Sequence, residues 1–216
     1  MTCCHCEGLE SQFDRRTAER ELRRFRRRGP TNSTQILIDE LRAAGVDGAS
    51  IIDIGGGVGA IHHMLLDVGA NIATHIDISP EYIAAAREEA SRRGHDGRVL
   101  FVRGDFVQLA PQMPAADIVT LDRVICCYPD MEALVGRAAE KTGKLFGAVY
   151  PPDTWWMRMA VRAINTLLRF RRSGFRVYVH SPVAIDGVLR RHGLERVARR
   201  RTAVWEIATY ARRGAS

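Results

Sequence analysis

The segment Asp53-Ile54-Gly55-Gly56-Gly57-Val58-Gly59 sets four glycines within seven residues, between an apolar run and a stretch of helical character. Glycine has the most backbone freedom to lose on folding, so such a run suits neither a helix interior nor a strand. It marks a place where something comes close to the backbone. Ser50–Ile54 before it reads as a short apolar strand and Ala60–Val68 after it as a helix. A strand-to-helix turn of this kind in a doubly wound sheet is where nucleotides bind, against a helix N-terminus.

The same alternation continues along the chain. Ile72–Ile78, Arg98–Arg103, Asp117–Ile125 and Lys144–Tyr150 read as strands, with helices over Pro80–Arg93 and Met131–Lys141. Proline suits the first turn of a helix, as at Pro80. Leu194–Thr202 and Val204–Ala211 read as two strands joined by a tight turn. The pattern predicts an α/β fold, a doubly wound seven-stranded mixed sheet whose last strand is antiparallel. Upstream, a helix is expected from about Asp14 to Arg28. Gly29-Pro30 breaks it, and Thr31 to Ser33 offer N-cap chemistry for another helix through Ala44.

A chain of 216 residues suits one domain with a substantial core. Hydrophobic residues make up 46% and charged residues 26%, ordinary for a globular protein. No run reaches the roughly 18 apolar residues of a membrane span. Met1 to Cys6 lacks the basic start and apolar stretch of a secretory signal, so a cytoplasmic location is expected. The net charge of +7 is carried mainly by arginine, in blocks at Arg23–Arg28 and Arg196–Arg201. Such blocks suit nucleic acid, an anionic membrane surface or an acidic small molecule. No nucleic-acid-binding motif accompanies them, so they read as solvated faces and no nucleic-acid partner is expected. Five cysteines, an odd number, argue for reduced thiols.

Two patterns overlap in the glycine run. Gly55, Gly57 and Ala60 fit the dinucleotide fingerprint G-x-G-x-x-G/A, with Asp77 about 20 residues on, which admits an NAD-dependent oxidoreductase. Asp53, Gly55, Gly57 and Gly59 also read D-x-G-x-G-x-G. That pattern resembles the S-adenosyl-L-methionine (SAM) site of class I methyltransferases, over roughly residues 48 to 150. The resemblance implies a Rossmann-like SAM-binding core. Asp53 would help hold the amino-acid end of the cofactor, and the glycines would admit its methionine and ribose portion. Asp77, followed by Ile78, would take the ribose hydroxyls, and Asp105, followed by Phe106, would meet the adenine amino group. Asp122, at the end of the fourth strand, is grouped with them. An anion at Asp53 would repel a pyrophosphate and tolerate a sulfonium, which favours SAM over NAD. The expected division is a single methyltransferase domain over 1–216: an N-terminal helical cap (1–46), a SAM-binding core (47–150), a helical acceptor-side cap (151–193) and a C-terminal hairpin (194–216).

The fourth strand runs into Cys126, Cys127 and Tyr128, where acceptor chemistry sits in this family, and these three are the catalytic candidates. The stretch lacks the Asn/Asp-Pro-Pro-Tyr motif of DNA amino methylation and the Pro-Cys pair of cytosine C5 methylation. The expected partner is therefore a small molecule, partly apolar or acidic, and O-methylation is favoured, with a carboxylate among the acceptors. The order of elements is also similar to magnesium-protoporphyrin O-methyltransferases. Gln12-Phe13-Asp14, Leu121-Asp122-Arg123-Val124-Ile125 and Phe175 to Pro182 carry that likeness. Ile125-Cys126-Cys127-Tyr128 departs from the Ile-His-Tyr run of that family, and Gln12 stands where it has tyrosine. Cys3 and Cys6 have the spacing of half a zinc site, which with the other thiols keeps a thiol or metal sensor as a third reading. Trp155, Trp156, Met157 and Met159 begin an amphipathic helix through Phe170, either packed on the sheet or forming a lid. His180 just beyond it is either a solvated loop residue or a pocket base.

Overall fold

The computed structural model describes residues 14–214. Cys3, Cys4, Cys6, Gln12 and Phe13 lie outside the described residues, and so do the expectations placed on them. Two helices come first, α1 (Arg15–Arg28) and α2 (Asn32–Ala44). Asp14 caps the first by accepting from Thr17 N, and Thr31 caps the second through Thr34 N. Then follow β1 (Ser50–Ile54), α3 (Ala60–Leu66), β2 (Ile72–Asp77), α4 (Pro80–Arg93) and β3 (Val99–Arg103). A short helix α5 (Phe106–Leu109), absent from the sequence reading, precedes β4 (Ala116–Asp122), α6 (Met131–Lys141) and β5 (Thr142–Tyr150). The chain closes with α7 (Trp155–Phe170), α8 (Pro182–Arg191), β6 (Leu194–Arg201) and β7 (Glu206–Arg212).

The strands form one seven-stranded sheet in the order β3-β2-β1-β4-β5-β7-β6. Strands β1 to β5 pair in parallel, and β7 inserts antiparallel between β5 and β6. The order reverses between β1 and β4, so a crevice opens beyond the carboxyl ends of these strands. Alternate residues feed opposite faces: Ile51 packs with α2 and α3, whereas Ile52 packs with α6 and α8. Strands covered on both faces read as continuous apolar runs, and Ile51, Ile52, Val119 and Leu121 fit that rule.

Part of each arginine block pairs with acids on other elements. Arg26 of α1 reaches across to Glu88 and Glu89 of α4, each at 2.8 Å. Burial alone would raise Glu89, but bonds from Arg92, Arg26 and Arg93 hold its carboxyl down to about 2. Arg196 pairs with Asp186, Arg199 with Glu206 and Arg200 with Glu40. Glu89 is fully buried, so removing the arginines around it would strand an uncompensated charge, whereas the more exposed Arg200–Glu40 pair contributes little. These arginines tie elements together, which leaves less of the basic charge for an external polyanion.

Candidate active site

The glycine run joins β1 to α3 by a backbone that glycine alone adopts readily. Gly55, Gly57 and Gly59 have φ of +61°, +56° and +81°, the left-handed region that costs other residues about 1–2 kcal/mol. Gly55 N and Gly56 N both donate to Ile76 O, at 2.7 and 3.3 Å, which anchors the loop to β2. Gly56 needs its glycine for space. A Cβ there would lie 2.5 Å from His75 Nδ1 and 2.9 Å from Asp53 Oδ2. At Gly59 a Cβ would meet the His62 and His63 rings at 2.7 Å. Part of what comes close to this loop is therefore the protein's own interior.

That interior is a nest of imidazoles under the loop. Asp53 faces His75 on β2 and Thr120 on β4 by strand register. Thr120 Oγ1 donates to Asp53 Oδ1 at 2.7 Å, and His62 Nδ1 lies 2.9 Å from Oδ2. With the carboxylate accepting, His62 carries its proton on Nδ1 and its Nε2 has no partner. Both nitrogens of His75 are likewise buried without a partner. Burial pushes His62 and His75 down to about 3 and His63 to about 2, and it raises Asp53. Asp53 reaches the crevice wall with both oxygens engaged and its charge disfavoured. The electrostatic case against a pyrophosphate, built on an exposed anion at Asp53, loses force for this reason.

Asp53, His62 and His75 offer metal-donor atoms within 4.8 Å of one another. Ligands on one tetrahedral zinc sit about 3.4 Å apart, given metal–ligand distances of about 2.0–2.1 Å. One pair of these atoms, His62 Nδ1 and Asp53 Oδ2, is already joined by a hydrogen bond at 2.9 Å.

Asp77 and Asp105 sit at the ends of β2 and β3 on the rim of the same crevice, with Asp53, Asp122, Ile78 and Phe106. Asp77 Oδ2 accepts from Gly57 N at 3.0 Å and Oδ1 from Ser79 N at 2.9 Å, so one carboxylate joins the glycine loop to the start of α4. Burial pushes Asp77 up to about 6. Each carboxylate oxygen keeps a further acceptor site, enough for a diol. Asp105 caps α5 through Val107 N at 2.9 Å and also accepts from the Tyr128 hydroxyl at 3.0 and 3.2 Å. Asp122 accepts from Thr34 Oγ1 at 2.7 Å and from Arg123 Nε at 3.2 Å.

Helix α1 and the turn after it cover the crevice through Glu21, Arg24, Phe25 and Thr31. None of these was named from the sequence as a site residue, although a cap over residues 1–46 was expected, because the arginine-rich helix shows no ligand motif. Its apolar stripe of Ala18, Leu22 and Phe25 was the available signal, since it packs on Val58 and Tyr82 beside the glycine loop.

The other wall departs from expectation in one respect. Strand β4 ends at Asp122 because Arg123 turns left-handed, with φ of +62°. Cys126 and Cys127 therefore lie on a 3₁₀ turn beyond the strand, with Tyr128 just after it. The sulfurs stand 3.8 Å apart. A bond from Cys126 and the Arg123 charge lower the Cys127 thiol, while that same bond and burial raise Cys126. Arg123, Cys127 and Tyr128 line the crevice. Behind them, Tyr178 N donates to Cys126 O at 2.7 Å, and His180 Nε2 lies 3.0 Å from Tyr128 O. His180 thus braces the turn through its backbone.

A parallel sheet with an inserted antiparallel β7, a glycine turn after β1 and acids at successive strand ends are the features of class I SAM-dependent methyltransferase domains, a class whose cofactor is SAM. In agreement, residues 52–142 match the family described as methyltransferase domain. The chain is 30% identical to ribosomal protein L11 methyltransferase of Edwardsiella ictaluri over 118 residues, 54% of this chain and 39% of that protein. It is 26% identical to the Photobacterium profundum counterpart over 164 residues, 76% of this chain and 49% of that protein. The chain thus spans half or less of the length of these curated relatives. Among solved structures, magnesium protoporphyrin IX methyltransferase from Synechocystis, crystallised with S-adenosylhomocysteine, superposes with a TM-score of 0.68 at 21% identity, covering 83% of this chain and 81% of that one. An O-methyltransferase family protein from Burkholderia thailandensis gives 0.70 at 20% identity, covering 96% and 63%. At these identities the superpositions speak to fold. No helix among the described residues is long and apolar enough to cross a membrane.

Proposed function

We propose that this protein transfers the methyl group of SAM to an oxygen of a small, partly apolar or acidic molecule. The observation that carries the reading is the convergence of Asp53, Asp77, Asp105, Asp122 and the glycine loop on one crevice whose remaining wall is Arg123, Cys127 and Tyr128. In this reading Asp77 accepts both ribose hydroxyls, Asp105 meets the adenine amino group, and Gly55, Gly57 and Gly59 admit the methionine portion. Asp53 acts from beneath, fixing the loop through Thr120 and His62.

The acceptor oxygen attacks the methyl carbon in line with the departing sulfur. The C–S bond breaks as the O–C bond forms, and S-adenosylhomocysteine leaves neutral. Much of the acceleration in such a displacement comes from positioning. A carboxylate acceptor brings its own negative charge and needs no base, whereas a hydroxyl must lose its proton. Arg123 in the wall favours the carboxylate. Tyr128 joins the two halves, since its hydroxyl is held by Asp105 while its backbone is braced by His180. Its part is to position the acceptor turn against the cofactor. Cys127, with its lowered thiol, is the second candidate for acceptor contact. The segment 1–46 serves as the cap over the cofactor and 151–193 as the acceptor-side cap, flanking the core at 47–150 and the hairpin at 194–216.

Likeness to ribosomal protein L11 methyltransferases supports a second reading, a protein acceptor. Incubation with methyl-labelled SAM and a cell extract separated by size decides between them. Label in the low-mass fraction supports the small molecule, and label confined to protein replaces it with the second reading.

A further inference from the structure

One face of α7 has no partner among the described residues. Thr154 caps the helix through Met157 N, and only Met157 and Val161 are buried. Asn165 fastens it to the returning chain, donating to Val177 O at 2.8 Å and accepting from Val177 N at 2.9 Å. The opposite side is bare. Trp155 is 79% exposed, Phe170 83%, Met159 56% and Leu167 52%, with Ile164 and Trp156 beside them. At about 100° per residue these six side chains share an arc of about 180°. Arg158, Arg162 and Arg169 lie on the polar side, and Arg171 and Arg172 follow at the C-terminal end. Asp153, just before the helix, pairs with Arg158 at 2.5 and 2.8 Å, and no other Asp or Glu occurs from Pro151 through Ile185.

Six large apolar side chains on one face are a patch that a monomer in water seldom leaves uncovered. A helix with Trp, Leu and Phe on one side and arginine on the other, too short to span, lies in the plane of a bilayer surface. We propose that α7 docks this protein on an anionic lipid bilayer. The apolar arc enters the boundary between headgroups and acyl chains, and the arginines meet the lipid phosphates. Charge selects this occupant over a second copy: pairing two α7 faces would gather Arg162, Arg169, Arg171 and Arg172 of both copies, while the one nearby acid, Asp153, is taken by Arg158. Residues 1–13 bring only Met1, Leu9 and Phe13 as large apolar side chains, too few to cover six. Helix α7 leaves the carboxyl end of β5, the same sheet edge that carries the crevice. Docking would set the crevice mouth close to the lipid. The proposal rests on this helix and its charge, independent of the transfer reaction.

The test is flotation of the full-length protein with vesicles of phosphatidylglycerol and phosphatidylcholine, and with phosphatidylcholine alone. The protein should float with the anionic vesicles roughly tenfold or more better than with the neutral ones, and added salt should narrow the difference. Trp155→Ser with Phe170→Ser should lower binding at least about tenfold, since binding scales with buried apolar area, at an unchanged melting temperature. Arg162→Glu with Arg169→Glu keeps the apolar arc and should remove the preference for anionic lipid. Failure of the wild type to float with anionic vesicles overturns the proposal. So does a wild-type dimer that the Trp155/Phe170 variant converts to monomer, because the occupant is then a second copy.

Discussion

The two walls of the crevice are built differently. On the glycine-loop side, the loop and the start of α4 are joined through the Asp77 carboxylate, which accepts from Gly57 N and Ser79 N, all within some 25 residues of chain from Gly55 to Ser79. On the acceptor side, the turn at Cys126–Tyr128 is held by residues about 50 positions later, Tyr178 and His180, and the helix between them is largely exposed. Local construction makes the first wall rigid and leaves it written in short motifs. The second depends on a long connection, and that is where substrate choice has room to vary.

The glycine loop offers the hardest break. Gly56→Val or Gly59→Val drives a side chain into His75 or into the His62–His63 pair, and the latter also forces a left-handed φ. Loss of roughly 3 kcal/mol or more of stability is expected, read by chemical denaturation. A stable Gly56→Val variant that still binds cofactor would show that the loop and the histidine nest are independent.

Tyr128→Phe tests the link between the walls. Turnover should fall roughly 10- to 1,000-fold, the range of positioning losses. SAM affinity should change by no more than about 1 kcal/mol, the worth of one hydrogen bond to Asp105. A loss confined to SAM affinity, with kcat untouched, would move Tyr128 wholly to the cofactor side.

Much of the glycine-loop wall of the crevice was legible because its residues occupy strand ends and caps. Asp53, Asp77 and Asp105 end or follow strands set by runs of Ile and Val, and helix starts at Thr31 and Pro80 followed from capping chemistry. The extent of β4 was not. A left-handed Arg123 has no local signal, so the strand read three residues too long, to Ile125, with the cysteines directly at its end. The histidine nest was invisible for another reason. His62, His63, His75 and His95 come from three separate segments, and only the register of β1 with β2 sets His75 beneath Asp53. Alpha5 was missed because four residues carry too little periodicity to detect.

Asp77→Ala should weaken SAM binding by about 1–3 kcal/mol, the cost of leaving buried hydroxyls unpaired. The wild type should also lose affinity as pH falls through about 6, where the raised Asp77 carboxyl takes up its proton. Affinity independent of pH between 5 and 7 would argue against ribose binding by this carboxylate.

Acid should unfold the protein through the nest. The three histidines held at about 2 to 3 resist protonation in the folded state, while the unfolded chain takes protons near 6.5. Their contribution is complete above 6.5 and is lost as pH falls from there toward 3. Asp77, raised to about 6, works in the opposite sense between about 6 and 3.8. His75→Phe should make the acid limb shallower by up to about 1.4 kcal/mol per pH unit, and identical slopes would place His75 outside the titration. The smallest effect belongs to the exposed helix. Trp155→Ser should change stability by less than about 0.5 kcal/mol, and a larger loss would mean that α7 packs more tightly than its exposure indicates.

The central claim is that the crevice under α1 is a SAM site in which Asp77 holds the ribose. Titration calorimetry of the wild type and Asp77→Ala with SAM, S-adenosylhomocysteine and NAD addresses it directly. The account predicts binding of the first two at one site per chain, a roughly 5- to 150-fold loss in the variant, and no heat from NAD. Saturable binding of NAD, or equal SAM affinity in both proteins, would contradict it.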